Sequence, residues 1–141
     1  MKAVILLTIC CLMLACTHEE PRSEWKTFDF DIFTLQAPSK WKEFSAQGYD
    51  SVVGGVTDGK DTLYYDYGMY SYRFTSETSQ THIITETNRD GYPTKMVKPK
   101  KPGQGVIGIY YNLGNSLRLT LYGRSRDENI FVQMIESIKI K

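Results

Sequence analysis

Apolar and polar residues alternate along most of this chain with a period of two, the spacing of a half-buried strand. Phe28, Phe30 and Ile32 alternate with Asp29 and Asp31, and this early strand runs on until Pro38-Ser39-Lys40-Trp41 breaks it. Ser51 to Thr57 and Thr62 to Tyr72 flank Asp58-Gly59-Lys60-Asp61, which predicts a hairpin with Asp-Gly at its turn. Thr81 to Glu86 and Tyr92 to Val97 flank Asn88-Arg89-Asp90-Gly91, a second hairpin. Val106 to Asn112 and Ser116 to Tyr122 make a third around Leu113-Gly114-Asn115. Ser76 to Gln80 is polar and reads as a loop or a single helical turn, and Lys98 to Gly105 as a basic loop.

One stretch changes period. Ile130, Phe131, Met134, Ile135 and Ile138 fall on one face of a helix, with Gln133 and Glu136 pointing away. Ser125 and Glu128 ahead of it have capping-box spacing. The helix is expected to cross one side of the sheet, with Ile138-Lys139-Ile140 leaving it as a short last strand. The fold class is therefore α+β: an antiparallel β-sheet of successive hairpins with an amphipathic C-terminal helix packed on one face. It forms one domain over residues 25–141, without internal repeats.

The start of the chain follows other rules. Lys2 precedes an apolar run from Ala3 to Leu14, about a dozen residues, the length of a signal-peptide core. A membrane-spanning helix needs roughly 20. The run closes on Leu12-Met13-Leu14-Ala15-Cys16, which resembles the lipobox of a bacterial lipoprotein. That resemblance implies a diacylglyceryl group on the Cys16 sulfur, removal of residues 1–15 as a signal peptide, and a lipidated tether over 16–24. An ordinary secretory signal cut after Ala15 also explains the leader, but leaves the cysteine as a coincidence. Two or more acyl chains anchor a protein stably where one does not. No later segment is apolar enough to span a bilayer, so the expected address is a membrane of the bacterial envelope. The outer membrane is the favoured one, with the domain periplasmic or surface-exposed. Glu19-Glu20 is similar to the acidic patch of surface-exposed Bacteroidetes lipoproteins, although a solvated linker explains the same residues.

Composition then closes several routes. Of the 141 residues, those after the leader suffice for one domain with a core. The formal net charge of +1 falls to zero without Lys2, a poor basis for nonspecific nucleic-acid binding. Charge is unevenly spread, acidic up to Thr94 and basic from Lys95 onward. Pairing within one sheet explains this, and so would a dipolar binding surface. Cys10 and Cys11 depart with the leader and lipid occupies Cys16, which removes disulfides, thiol catalysis, zinc–thiolate sites and iron–sulfur clusters.

Pro38-x-x-Trp41 near the start and Phe131-x-x-x-Ile135-x-x-Ile138 at the end bracket most of the domain. This arrangement resembles the PsbP-like group, which includes photosystem extrinsic proteins and the envelope lipoprotein DcrB. Gly48-Tyr49-Asp50-Ser51-Val52-Val53-Gly54 and Asp66-Tyr67-Gly68-Met69-Tyr70-Ser71 are similar to segments of small Bacteroidetes lipoproteins. The resemblance implies an antiparallel sheet flanked by helices and carries over no catalytic residue.

Four constellations could carry chemistry. Gly103-Gln104-Gly105-Val106-Ile107-Gly108 matches a dinucleotide fingerprint, but that motif needs a strand before it and a helix after it. Lys95, Lys98, Lys100 and Lys101 could bind phosphate or anionic headgroups, or simply balance the acidic half. Asp50, Asp58 and Asp61 lack the spacing of a calcium loop. His82, alone in the folded region, reads as a surface or edge residue, and no G-x-S-x-G elbow accompanies it.

Tyr64-Tyr65-Asp66-Tyr67-Gly68-Met69-Tyr70-Ser71-Tyr72 is the most unusual stretch. Alternation sends Tyr65, Tyr67 and Met69 to one face and Tyr64, Tyr70 and Tyr72 to the other. Helix and loop could cover both faces; otherwise the second set, with Asp66, is a candidate binding surface. The expectation is a noncatalytic module without cofactor that binds an envelope protein or a small ligand, an immunity-type protein being one version. A small enzyme or accessory using Asp50, Asp66, tyrosines and His82 around a cleft is the alternative, and a structural spacer a third.

Overall fold

The computed structural model describes residues 24–141, so the leader and nearly all of the tether, with Cys16, lie outside the described residues. Ten strands and one helix follow: β1 (Trp25–Asp29), β2 (Phe33–Pro38), β3 (Lys42–Gln47), β4 (Ser51–Thr57), β5 (Thr62–Gly68), β6 (His82–Arg89), β7 (Tyr92–Pro99), β8 (Ile107–Gly114), β9 (Leu117–Gly123), α1 (Glu128–Glu136) and β10 (Lys139–Ile140). The α+β class holds. All pairings are antiparallel, in a seven-stranded sheet of order β3-β4-β5-β9-β8-β7-β6 and a three-stranded sheet of order β1-β2-β10.

The single early strand is two. Phe28 and Phe30 point inward, but the next inward residues are Phe33, Leu35 and Ala37. The phase slips by one at Asp31-Ile32, and there the chain turns, with the Phe30 N–H donating to the Phe33 carbonyl at 2.9 Å. A period-two pattern survives on each side of such a slip, so the alternation alone hides the turn. β3 gave no strand signal either. It is an outer strand, its side chains are largely exposed, and Lys42-Glu43-Phe44-Ser45-Ala46-Gln47 reads as mostly polar. A charged edge of this kind blunts pairing with other chains.

All three expected hairpins form, the first with its turn where the sequence puts it and the other two with turns shifted by about a residue. β4 and β5 are joined by the Asp58–Asp61 loop, whose Asp58 Oδ1 accepts the Lys60 and Asp61 N–H groups at 2.9 and 2.8 Å. Those backbone donors, Asp61 first, hold the Asp58 carboxyl below its ordinary pKa. β6 and β7 turn through Asp90 and Gly91, both at positive φ, the signature of a two-residue I′ turn. The β8–β9 turn sits one residue later than its sequence signal, at Asn115-Ser116, with a register shift between Asn112 and Gly114.

The core lies between the sheets. The near face of the large sheet presents Val56, Leu63, Tyr65, Leu119, Leu121, Ile107, Ile109 and Tyr111. β1 and β2 cover one part of it with Phe28, Phe30, Phe33 and Leu35. The helix covers another with Phe131, Met134 and Ile135, and Phe131 meets Trp41 edge to face at 6.0 Å.

The capping box does not form. Asp127 occupies the N-cap without a side-chain hydrogen bond. Ser125 instead donates to Asp61 Oδ2 and accepts the Asp127 N–H. Glu128 is buried; its Oε1 accepts the Gly103 N–H at 3.2 Å, and its Oε2 lies 3.6 Å from Lys98 Nζ. A tertiary partner for each side chain outweighs the local exchange.

Candidate functional site

The tyrosine-rich strand stops at Gly68, four residues short of the sequence expectation, and this divides the expected tyrosine surface. Tyr64 lies on the far face of the sheet, opposite Tyr122 of β9 in register. Its ring stacks on Tyr122 at 5.6 Å and meets Phe44 of β3 edge-on at 5.7 Å. The result is an aromatic row crossing β3, β5 and β9, half open to solvent. Burial, then the charge of Asp66, pushes the Tyr122 phenol pKa up. Beyond Tyr122 a shallow hollow of about 420 Å³ is bordered by Lys60, Val106 and Arg124. Phe44 and Tyr122 were not legible as partners of Tyr64, because the β5–β9 pairing joins segments far apart in sequence.

Tyr70 and Tyr72 follow the strand's end and obey no alternation. Tyr72 folds back: its hydroxyl donates to Glu77 Oε2 at 2.6 Å and its ring meets Phe74 at 5.4 Å. Residues 69–81 run as a strap over the far face from β5 to β6, across β9, β8 and β7. Phe74 pins it. Its side chain is fully buried, and its backbone φ of 55° is rare for a bulky residue. The ring sits so close to Gly108 that a Cβ there would stand 2.6 Å from it. Lys95 Nζ donates to the Phe74 carbonyl at 2.8 Å, and Thr120 Oγ1 donates to the Tyr72 carbonyl at 2.6 Å.

Tyr70 belongs to a different grouping. Gly68 pairs with both Ser51 and Arg118, so the β3–β4 turn, the end of β5 and the start of β9 share one end of the sheet. Tyr49, Val52, Met69, Tyr70 and Leu117 are all there, five of the seven large apolar side chains that stay exposed among the described residues. Tyr49 is fully exposed and Tyr70 is 76 % exposed. Arg118 donates to the Met69 carbonyl and ties this rim to β9.

The remaining sequence candidates scatter. Asp66 is half-buried on the far face, where Ser71 Oγ donates to its Oδ1 at 3.3 Å. Asp50 lies in the exposed β3–β4 turn. His82 stands on the opposite outer strand, four strand positions from Asp66, so strand spacing alone separates them by roughly 19 Å and the offset along the strands adds to it. It is an edge residue as read, but not a surface one, being 7 % exposed. Its Nε2 is 3.1 Å from the Val106 carbonyl and its Nδ1 2.8 Å from Thr81 Oγ1. A carbonyl can only accept, so Nε2 carries a hydrogen.

The lysines part likewise. Lys95 faces the strap and Lys98 faces Glu128 across the other side of β7, leaving Lys100 and Lys101 in solvent. Gly103 to Gly108 passes from a loop into β8 with no helix after it. Among the described residues no cluster of histidine, cysteine and carboxylate side chains could hold a metal ion, and no helix is long and apolar enough to cross a membrane. No model of a known protein family matches the chain, and no curated protein matches it either.

Proposed function

We propose that this chain is a bacterial lipoprotein of the cell envelope, held by lipid on Cys16, whose folded part is a noncatalytic module that binds an envelope protein or a small ligand. The anchor rests on Leu12 to Cys16 and the apolar leader ahead of them. The binding role rests on one observation, the gathering of exposed apolar side chains at a single end of the sheet. Exposed apolar groupings of this kind mark interaction sites more often than scattered single residues do, and tyrosine is a frequent anchor at their centre. The rim therefore replaces the full Tyr64, Tyr70 and Tyr72 set as the main contact. Tyr49 and Tyr70 are its most exposed members, and Tyr64 with Asp66 lies on the adjoining far face. An outer-membrane address, with the domain in the periplasm or outside, follows from the lipoprotein reading.

We also read the domain as PsbP-like. An antiparallel sheet and a C-terminal helix packed on its near face support that placement, while only one helix is present among the described residues.

In-cell crosslinking of the lipidated protein, followed by affinity capture and mass spectrometry, tests both halves. A dominant partner should disappear when Tyr49, Met69 and Tyr70 are changed to Ser, with the melting curve unmoved. Cys16→Ser should release the protein from the membrane fraction and abolish labelling by an alkyne fatty acid. Persistence of the partner in the triple variant would sink the interface, and membrane retention without label would sink the anchor.

A further inference from the structure

The near face is not roofed everywhere. Where the β1–β2 turn overhangs β4 and β5, a hollow of about 240 Å³ opens onto the rings of Phe30, Tyr65 and Tyr67. Asp29, Asp31 and Glu43 rim it. Carboxylates alone would say little, but Tyr65 adds a second and different observation. It is only 9 % exposed, and its hydroxyl has no hydrogen-bond partner among the described residues. The ring lies across Gly54, where an added Cβ would stand 2.9 Å from the ring edge and 3.0 Å from the hydroxyl. Gly54 pairs with Tyr65 on one side and with Ser45 on the other, so the phenol reaches over β4 toward β3, the strand that carries Glu43. The oxygen is not sealed in, however: it is open to solvent while the rest of the side chain is buried, and the residue borders the hollow. Burial, then Glu43 and Asp31, raises the Tyr65 pKa and keeps the phenol neutral.

The rim already holds one ammonium, since Lys141 Nζ donates to Asp29 Oδ1. Asp31 and Glu43 make no ion pair among the described residues. The three carboxylates form no grouping able to hold a metal ion. Separate negative charges above aromatic walls suit an extended cation instead. We propose that this hollow binds a small organic cation, an ammonium group carried on an apolar or aromatic body. Its N–H groups donate to Asp31, Glu43 and the Tyr65 oxygen, charge-assisted bonds of the stronger kind. Its body rests on Phe30 and Tyr67, whose ring faces also attract positive charge. An apolar cavity of about 150 Å³ accommodates benzene, so 240 Å³ admits one ring with a short amine arm. The hollow adjoins the apolar rim through Val52, which lines both, but its proposed ligand does not depend on the rim's role.

Calorimetric titration of the full chain in nonionic detergent, with benzylammonium as probe and benzyl alcohol as its uncharged counterpart, tests this. Benzylammonium should give saturable heat above the micelle background and bind about tenfold or more tightly than the alcohol. The double variant Asp31→Asn with Glu43→Gln alters two exposed side chains, so it should keep its melting curve and lose about tenfold in affinity. Tyr65→Phe, which removes only the hydroxyl, should weaken binding severalfold, and Glu86→Gln on the opposite outer strand should leave it unchanged. Equal binding of alcohol and ammonium, undiminished binding by the double variant, or no saturable heat at all would each overturn the proposal.

Discussion

The two faces of the seven-stranded sheet start from the same alternation and end differently. On the near face Ile107, Ile109 and Tyr111 of β8 and Leu119 and Leu121 of β9 meet a second layer, built from β1, β2 and the helix, and are lost to solvent. On the far face, cover comes from one irregular strap, pinned by Phe74 and two hydrogen bonds to its carbonyls. The strap reaches β9, β8 and β7 and stops, leaving the Phe44–Tyr64–Tyr122 row half open. Regular elements bring a continuous apolar stripe to a sheet, whereas a strap brings single side chains, so partial cover is the expected product. Surface free for binding then lies where the strap does not reach.

The largest expected effects come from removing the main plug of each face. Phe131→Ala should cost about 3–5 kcal/mol, as for other fully buried aromatics, and Phe74→Ala distinctly less, because a strap can settle or open locally. Denaturant unfolding measures both. Equal losses would show that the far face is as much a core as the near one. Thr120→Val keeps the shape and removes one hydrogen bond to the strap, leaving the Tyr72 carbonyl short of a donor. About 1–2 kcal/mol should be lost, and hydrogen exchange should accelerate in residues 69–81 more than in β1 and β2. Uniform acceleration would mean that the strap does not open by itself.

The smallest effect is alkaline. Tyr65 and Tyr111 on the near face and Tyr122 on the far face have pKa values raised above 10.0, with burial the leading cause in each. A raised phenol leaves stability intact below pH 10 and erodes it as pH climbs from there through the folded-state value. Melting temperature should thus hold until about pH 10 and then fall. Tyr122→Phe should remove only part of the fall. A decline beginning well below that pH would assign it to other groups.

Legibility followed locality. Hairpins whose two strands and turn lie within one short stretch were readable from Asp58-Gly59 and Asp90-Gly91, and so was the helix from Phe131, Met134 and Ile135. The turn at Asp31-Ile32 was missed because alternation looks the same before and after a one-residue slip. The spacing of Ser125 and Glu128 pairs them with each other, whereas Asp61 and Gly103, remote in sequence, claim them. The candidate surface failed for the same reason. Tyr64 was correctly placed on one face, but its partners Phe44 and Tyr122 come from β3 and β9. Tyr70 and Tyr72 were carried onto that face by an alternation that ends at Gly68. The hollow beside Tyr65 was invisible, since Asp31 and Glu43 approach it from two different sheets.

The sheet order has a kinetic consequence. β3-β4-β5 and β6-β7-β8-β9 are each meanders of neighbouring segments, joined by the single seam of β5 against β9. Each meander can zip up on its own, but closing the seam spans about 50 residues of intervening chain and carries the larger loop entropy. The strap is the ligature across that seam, made of the residues that leave β5 and bond back to Thr120 of β9. The last piece to arrive is β10, which completes the small sheet by pairing Lys139 and Ile140 with Thr34 and Phe33. A chain emerging from its amino end therefore carries the apolar faces of β1 and β2 uncovered until β8 and β9 have been made, so the lifetime of that half-built state sets its exposure to aggregation.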